Sequence, residues 1–155
     1  MRIKESKVYE FDELSQGLKD KVIEKLWDIN VDHDWWDAIA DDAKQIGCDI
    51  REFDIYRRTC YLVLEESPEC VAKLILTNHG EHCDTYKAAK SFLNEIEGLE
   101  DDEKYTAAVE DFTEDLSRRY LKMLSDEYDY LTSEETIIET IHANEYEFDE
   151  YGDIA

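Results

Sequence analysis

The sequence is poor in basic residues and in glycine, and each shortage excludes a class of function. Its 155 residues include 17 Lys and Arg against 41 Asp and Glu, which gives a formal net charge of -24. Such a chain repels DNA, RNA and anionic membranes, because binding to these polyanions depends on cations that displace counterions. With only five glycines, no phosphate-binding loop of the P-loop or dinucleotide type is expected.

Long apolar runs and closely spaced cysteines are missing as well. No run approaches the ~20 apolar residues of a membrane-spanning helix, and the opening MRIKESKVYEF has no apolar stretch typical of a signal peptide. We therefore predict a cytoplasmic protein without membrane contact. No two of the four cysteines form a CxxC pair; they are Cys48, Cys60, Cys70 and Cys83. We therefore expect four free thiols rather than disulfides or a cysteine-only zinc site.

The apolar content is nevertheless sufficient for a folded domain. Hydrophobic residues make up 43% of the chain, and ten of its residues are tyrosines, which argues against disorder. We predict a single domain over residues 1–155 of the α+β class. It should be mainly helical, with a small antiparallel β-sheet and one long acidic amphipathic helix.

Apolar residues at helical spacing predict two helices near the start of the chain. Asp12 can cap the first helix, whose apolar stripe ends at Trp27. Asp32 or Asp34 can cap the second, which should stop at Gly47.

Turn and cap signals place the elements that follow. Residues 49–64 alternate as a β-hairpin, and Ser67-Pro68-Glu69 is typical of a helix start. A further helix is expected over residues 84–96. The chain between residues 132 and 141 should form the last helix.

The segment YEFDE occurs twice, at Tyr9–Glu13 and at Tyr146–Glu150. The flanking sequences differ, which argues against an internal duplication. Alternation within each copy places its Tyr and Phe on one face and Glu on the other. We therefore expect the copies to be terminal strands of one small sheet, in which they can be neighbours. The sheet should contain the 49–64 hairpin and at least one YEFDE strand, with Phe11 and Phe148 buried.

The candidate partner surface lies on the long helix predicted over residues 100–129. Residues 100–155 alone carry nineteen acids and four bases, and the outer face of this helix appears on a helical wheel as mostly acidic. A solvated face is the alternative interpretation of the same pattern. The predicted contact residues are Asp101, Asp102, Glu110, Asp111, Glu114, Asp115, Asp126 and Glu127.

Trp36 is a further candidate for partner contact. Adjacent helical residues point about 100° apart, so Trp35 and Trp36 cannot both face the centre of one core. One should be buried and the other should lie at the boundary or be exposed, where Trp often anchors a partner. Burial of both in the core is the alternative.

His79, His82 and Cys83 are the candidate metal ligands, since three soft donors fall within five residues. A zinc site would need a fourth ligand from elsewhere, for example Cys60 or Cys70. A helix terminus is the stronger interpretation, because histidine is favourable at the negative end of a helix. We therefore predict no bound metal and no cofactor.

No catalytic motif stands out from the sequence. Carboxylates occur throughout the chain, so no pair of them marks a general acid and base. A Cys–His pair is conceivable, but nothing in the sequence selects one. We expect a protein without enzymatic activity.

Three stretches together resemble a scattered family of small acidic proteins carried by phages, prophages and other mobile elements. These are FDELSQGLKDKVIEKLWDINVDHDWW (residues 11–36), CDTYKAAKSFL (83–93) and YLTSEETIIETIHANEYEF (130–148). Members of this family are mostly uncharacterised, and some are labelled antitoxin-like. The resemblance implies a mobile-element context, with the protein acting in the host cytoplasm.

Charge and resemblance together predict a counter-defence protein of the anti-CRISPR or anti-restriction type. It would occupy the basic surface of a nucleic-acid-binding host protein by mimicking DNA, without binding nucleic acid itself. Two alternatives remain open: an antitoxin or immunity protein that neutralises a basic toxin, and a metal-dependent enzyme. Solubility or adaptation to high salt would also account for the charge.

Overall fold

A computed structural model describes residues 6–155 of the chain. Over this range the protein is mainly helical, with four short strands arranged in two antiparallel sheets. This confirms the predicted α+β class. The chain divides into two compact units, Met1–Trp35 with Glu127–Ala155, and Trp36–Asp126. The prediction of a single domain stays a prediction.

The first unit is built from both ends of the chain. It contains strand β1 (Tyr9–Glu10), a 3-10 turn (Phe11–Glu13), helix α1 (Gln16–Lys25), helix α6 (Glu134–Ala143) and strand β4 (Glu147–Phe148). Its buried apolar residues form one cluster. They are Phe11, Leu14, Val22, Ile137, Ile141 and Phe148.

The two YEFDE copies are neighbours in the fold. Strands β1 and β4 pair antiparallel, with Tyr9 opposite Phe148 and Glu10 opposite Glu147. Phe11 and Phe148 are buried and contact edge to face at 6.3 Å between ring centroids. The glutamates are exposed. The two copies therefore have the same structural role, as predicted: each buries a phenylalanine and exposes a glutamate.

The second unit begins with helix α2 (Asp37–Gln45) and continues into strands β2 (Cys48–Asp54) and β3 (Thr59–Leu64). Helices α3 (Pro68–Asn78) and α4 (Asp84–Ile96) follow. The start of α3 is as predicted. The Ser67 hydroxyl caps α3 by accepting a hydrogen bond from the first-turn amide of Cys70 (3.2 Å), and proline occupies the first helical position.

Helix α5 (Asp102–Leu131) is the longest element, about 45 Å at 1.5 Å per residue. Its buried residues within the second unit recur every four positions and form the stripe that faces the core of that unit. They are Ala108, Phe112, Leu116, Tyr120 and Leu124. Phe112 stacks on Phe92 of α4 with a centroid distance of 4.4 Å and an interplanar angle of 5°.

Two predicted helix caps are wrong. Asp12 lies in the 3-10 turn, and the cap of α1 is Ser15, whose hydroxyl accepts a first-turn amide at 3.3 Å. Neither Asp32 nor Asp34 caps α2, which begins only at Asp37. The intervening residues form successive turns, closed by their own backbone hydrogen bonds. Several acids near a helix start satisfy the capping pattern equally well, so the pattern alone does not choose between them.

The prediction of one sheet is also wrong, because the hairpin and the terminal strands form separate two-stranded sheets. Each terminal strand has only two residues, and β1 passes directly into the 3-10 turn. The hairpin buries Cys48 and Leu62 in the apolar cluster of its own unit, together with residues of α3 and α4. Alternation predicts strands but does not specify which strands pair.

No helix within residues 6–155 combines the length and the apolar character that crossing a membrane would require.

We predict that Phe112→Ala lowers the free energy of unfolding by about 3–5 kcal/mol, since it removes a buried ring and leaves a cavity against Phe92. Urea unfolding followed by circular dichroism measures the change. Tyr61→Ala is the control. Its side chain is 61% exposed, and we expect an effect within about 0.5 kcal/mol. Equal losses in both variants would contradict the assigned core.

We also predict that Glu147→Lys raises the melting temperature. Glu147 lies directly opposite Glu10 in the terminal sheet, and like charges in that position destabilise a strand pair. Glu150→Lys makes the same change of charge at an exposed position that is outside the paired strands. The prediction fails if both variants shift the melting temperature equally.

Candidate functional site

The acidic surface is concentrated between residues 95 and 114, which we call the acidic segment. It runs from the end of α4 to the middle of α5 and contains one lysine, Lys104. All nine acidic residues of the segment are exposed. They are Glu95, Glu97, Glu100, Asp101, Asp102, Glu103, Glu110, Asp111 and Glu114.

The local fold explains why these carboxylates face outward. Asp101 caps α5, and its Oδ1 accepts hydrogen bonds from the amides of Glu103 (2.9 Å) and Lys104 (3.1 Å). Acids in the first turn are favoured by the positive end of the helix. Glu110 and Glu114 follow one helical turn apart, on the side of α5 opposite the buried stripe. No ion pair found within residues 6–155 involves any of the nine carboxylates.

The second half of α5 has a different electrostatic character. Asp115 lies 3.3 Å from Nε of Arg119 and 3.7 Å from an NH2 nitrogen of Arg118. Asp126 accepts a hydrogen bond from Nζ of Lys122 at 2.6 Å, which raises the pKa of that lysine.

The eight predicted contact residues therefore divide into two groups. Asp101, Asp102, Glu110, Asp111 and Glu114 belong to the acidic segment. Asp115 and Asp126 are neutralised locally, and Glu127 is half-buried. The prediction of a mostly acidic outer face holds only for the first half of the helix.

The tryptophans are arranged differently from the prediction. Trp35 and Trp36 are both half-buried, so neither is a core residue or a fully exposed one. Trp36 contacts Phe53 at 5.7 Å between ring centroids, and Trp35 contacts Tyr128 at 5.5 Å. The more exposed tryptophan is Trp27, at 49%. The apolar pattern predicts Trp27 at the end of the stripe of the first helix, but α1 ends at Lys25 and Trp27 lies in the turn beyond it.

The candidate metal ligands do not converge. His82 is almost fully exposed and lines one groove, whereas His79 and Cys83 line a different cavity. Both ring nitrogens of His79 already have partners in Asp42 and Thr85. Among residues 6–155, no three His, Cys, Asp or Glu side chains are grouped so that they could hold a metal ion.

A polar network in the second unit was not foreseen from the sequence. The Asp42 Oδ2 accepts a hydrogen bond from the Tyr120 hydroxyl (2.7 Å) and lies 3.2 Å from Nε2 of His79. On the other side of the ring, Nδ1 of His79 lies 2.5 Å from Oγ1 of Thr85. Burial, and then the hydrogen bond to Asp42, raise the pKa of Tyr120 above its ordinary value. The network joins α2, α4, α5 and the residue that ends α3.

One arrangement of protons satisfies every member of this network. If His79 is neutral and carries its proton on Nε2, that N–H donates to Asp42. Nδ1 is then an acceptor for the Thr85 hydroxyl. The Tyr120 hydroxyl donates to the same Asp42 oxygen. The members are up to 78 residues apart in sequence, so no local motif could have revealed them.

A cavity of about 580 Å³ opens beside the network. Asp42, His79, Cys83 and Thr85 line one part of it. Its remaining lining residues come from α4 and α5 and mix both signs of charge with one methionine. They are Asp84, Asp115, Arg118, Arg119, Lys122, Met123 and Asp126.

Arg119 is the most constrained cation of this cavity. It bridges Asp84 (3.2 Å) and Asp115 (3.3 Å), yet its buried Nε makes no hydrogen bond of acceptable geometry. The opposing charges leave the cavity close to neutral, in contrast to the acidic segment.

The four cysteines are free and differ in environment. Burial, with a smaller contribution from the Glu65 carboxylate, raises the pKa of Cys48 to about 12. Burial also raises the pKa of Cys60. Cys83 is exposed at the N-cap of α4.

Comparison of the chain with protein-family models, curated proteins and solved structures gives no match.

We predict graded cysteine reactivity. At pH 8, N-ethylmaleimide should modify Cys83 first and Cys48 last, because a buried thiol with a raised pKa presents almost no thiolate. Peptide mass spectrometry over a time course gives the order. In denaturant without reductant all four thiols should react. Modification of Cys48 as fast as Cys83 in the native protein would contradict the assigned burial.

Proposed function

We propose that the protein is a counter-defence inhibitor that binds the basic, nucleic-acid-binding surface of a host nuclease. The observation that carries this proposal is the acidic segment, in which nine exposed carboxylates accompany a single lysine. Carboxylates that have no ion-pair partner in the described chain are available to cations on another protein. The mobile-element resemblance of the sequence supplies the biological context.

The spacing of charge along α5 supports mimicry of a nucleic acid backbone. Glu103, Glu110 and Glu114 are seven and four residues apart, which corresponds to rises of about 10.5 and 6 Å. At about 100° per residue they project within a sector of about 40°. One strand of DNA presents a phosphate about every 3.4 Å along its axis. The three glutamates therefore form a row of negative charges on the solvent side of α5, as the phosphates of one strand form a row of negative charges along DNA.

The overall charge supports fast and selective association. A net charge of -24 attracts a basic surface over a range set by the Debye length, about 10 Å at 0.1 M salt. The same field opposes direct contact with DNA or RNA. An inhibitor of this kind competes with nucleic acid for the nuclease surface but does not bind nucleic acid itself.

The mimicry proposal predicts a loss of inhibition in the triple variant Glu110→Lys, Asp111→Lys, Glu114→Lys. These residues lie on the exposed side of α5, so the fold should be retained while the surface charge is reversed. The assay measures cleavage of duplex DNA by a panel of purified restriction and CRISPR nucleases, with and without the protein. Inhibition of a susceptible nuclease should weaken as salt is raised, and excess duplex should relieve it.

The matched control reverses three exposed acids of the first unit, Asp20, Glu24 and Glu150, and changes the net charge by the same amount. It should inhibit nearly as well as the parent protein. Equal inhibition by the parent and the α5 variant would contradict the proposal and would indicate that the acidic segment is only a solvated face. If no nuclease is inhibited and the protein instead rescues growth from a co-expressed basic toxin, the antitoxin alternative is correct.

A further inference from the structure

The Thr85 hydroxyl differs from the other helical threonine hydroxyls of the second unit. Thr77, Thr106 and Thr113 each donate to the carbonyl four residues earlier in their own helix. Thr85 is in the first turn of α4, where no helical carbonyl precedes it. It is only 5% exposed, and its hydroxyl is paired with Nδ1 of His79 at 2.5 Å.

His79 is held in the orientation that a general base requires. Its Nε2 faces the Asp42 carboxylate, and that carboxylate is itself fixed by the Tyr120 hydroxyl. In the neutral form with its proton on Nε2, the ring presents an unprotonated Nδ1 to the Thr85 hydroxyl. A hydroxyl, an imidazole and a carboxylate in one hydrogen-bonded series define a nucleophile, its base and the group that orients the base.

The network opens on a space large enough for a small substrate. Thr85, His79 and Asp42 all line the cavity of about 580 Å³. Its other charges nearly cancel, which suits an uncharged or zwitterionic ligand better than an anion. The start of α4 also lines it, and the N-cap residue Cys83 makes no side-chain cap hydrogen bond. First-turn amides without a side-chain cap are suited to stabilising a developing oxyanion.

From this arrangement we propose that the cavity is an acyl-transfer site for small uncharged carboxylic esters. Thr85 is the nucleophile, His79 is the general base, and Asp42 is a positioning residue. The site is separate from the acidic segment and does not depend on the inhibitor function. No local pattern in the sequence marks these three residues, because they are dispersed over α2, the end of α3 and α4.

The proposed reaction is balanced without a cofactor or an oxidant. The Thr85 Oγ1 forms a bond to the ester carbonyl carbon while its proton passes to Nδ1 of His79. The tetrahedral intermediate then expels the alcohol, which takes that proton, and an acyl-threonine remains. Water, deprotonated by His79, attacks the acyl group, and Thr85 is restored. The net change is ester plus water to acid plus alcohol.

The test exposes the full chain to p-nitrophenyl acetate and follows release of p-nitrophenol. An acid-quenched sample is digested and examined by peptide mass spectrometry. We expect a burst of nitrophenol and an acetyl group on Thr85. An acetyl group found only on Cys83 or on lysines, or no acetylation at all, would overturn the proposal.

Variants separate catalysis from folding. Thr85→Val keeps the shape of the side chain and should reduce acetylation at least tenfold, whereas Thr85→Ser should retain acetylation at position 85. Thr113→Val, which also removes one half-buried hydroxyl from the second unit, should react like the parent. Melting curves confirm that each variant is folded. A folded Thr85→Val variant with an unchanged burst would refute the assignment.

His79 and Asp42 are tested by rate and by a conservative replacement. His79→Gln should slow acetylation by about 10²-fold, the usual contribution of a general base. Asp42→Asn should slow acetylation at least tenfold, and Asp42→Glu, which keeps a carboxylate to accept from Nε2 of His79, should recover part of the rate. A purely structural role for Asp42 would lower the melting temperature of both variants without this difference in rate, and that result would contradict its assignment as a positioning residue.

Discussion

The Asp42 carboxylate is the contact on which the second unit most depends. It accepts the hydroxyl of Tyr120 and faces His79, so one side chain of α2 binds a residue of α5 and the residue that ends α3. His79 extends this connection to Thr85 in α4. Buried polar groups are costly when they lack a partner. Four parts of the unit are thus held in one arrangement, which apolar packing alone would specify less sharply.

The excess of negative charge is the second constraint, and the fold accommodates it by separating two regions. In the acidic segment the carboxylates are exposed, and none of them forms an ion pair within residues 6–155. In the second half of α5, arginines and a lysine neutralise the nearby aspartates and frame a cavity of nearly balanced charge. The first half of α5 therefore carries unpaired negative charge, and its second half lines a cavity in which the two signs of charge nearly cancel.

The first unit shows how little backbone pairing is needed when apolar contacts supply the rest. Two strands of two residues each bring the terminal regions together, and the aromatic rings of Phe11 and Phe148 then pack against each other within the buried cluster. The opposed pair Glu10 and Glu147 is unfavourable but exposed to water, which weakens the repulsion. Burial of the two rings outweighs it.

Local sequence patterns were sufficient to predict the features that depend on neighbouring residues. Apolar spacing predicted helices in the right places, the Ser67-Pro68 start was confirmed, and alternation in YEFDE placed Phe11 and Phe148 inward. The predicted caps at Asp12 and at Asp32 or Asp34 were wrong, because several acids satisfied the same capping pattern. All of these signals act over a few residues, within one turn of helix or one strand.

Features that depend on distant residues came from packing of the elements against each other. Packing paired the terminal strands with each other rather than with the hairpin, and it brought Arg119 of α5 within 3.2 Å of Asp84 of α4. It also joined Asp42, His79 and Thr85 into one network. The contacts in this network connect residues that only packing of the helices brings within 3.2 Å of each other. A pattern along the chain shows which chemical groups are present, but it does not show the distances between those groups in the folded protein.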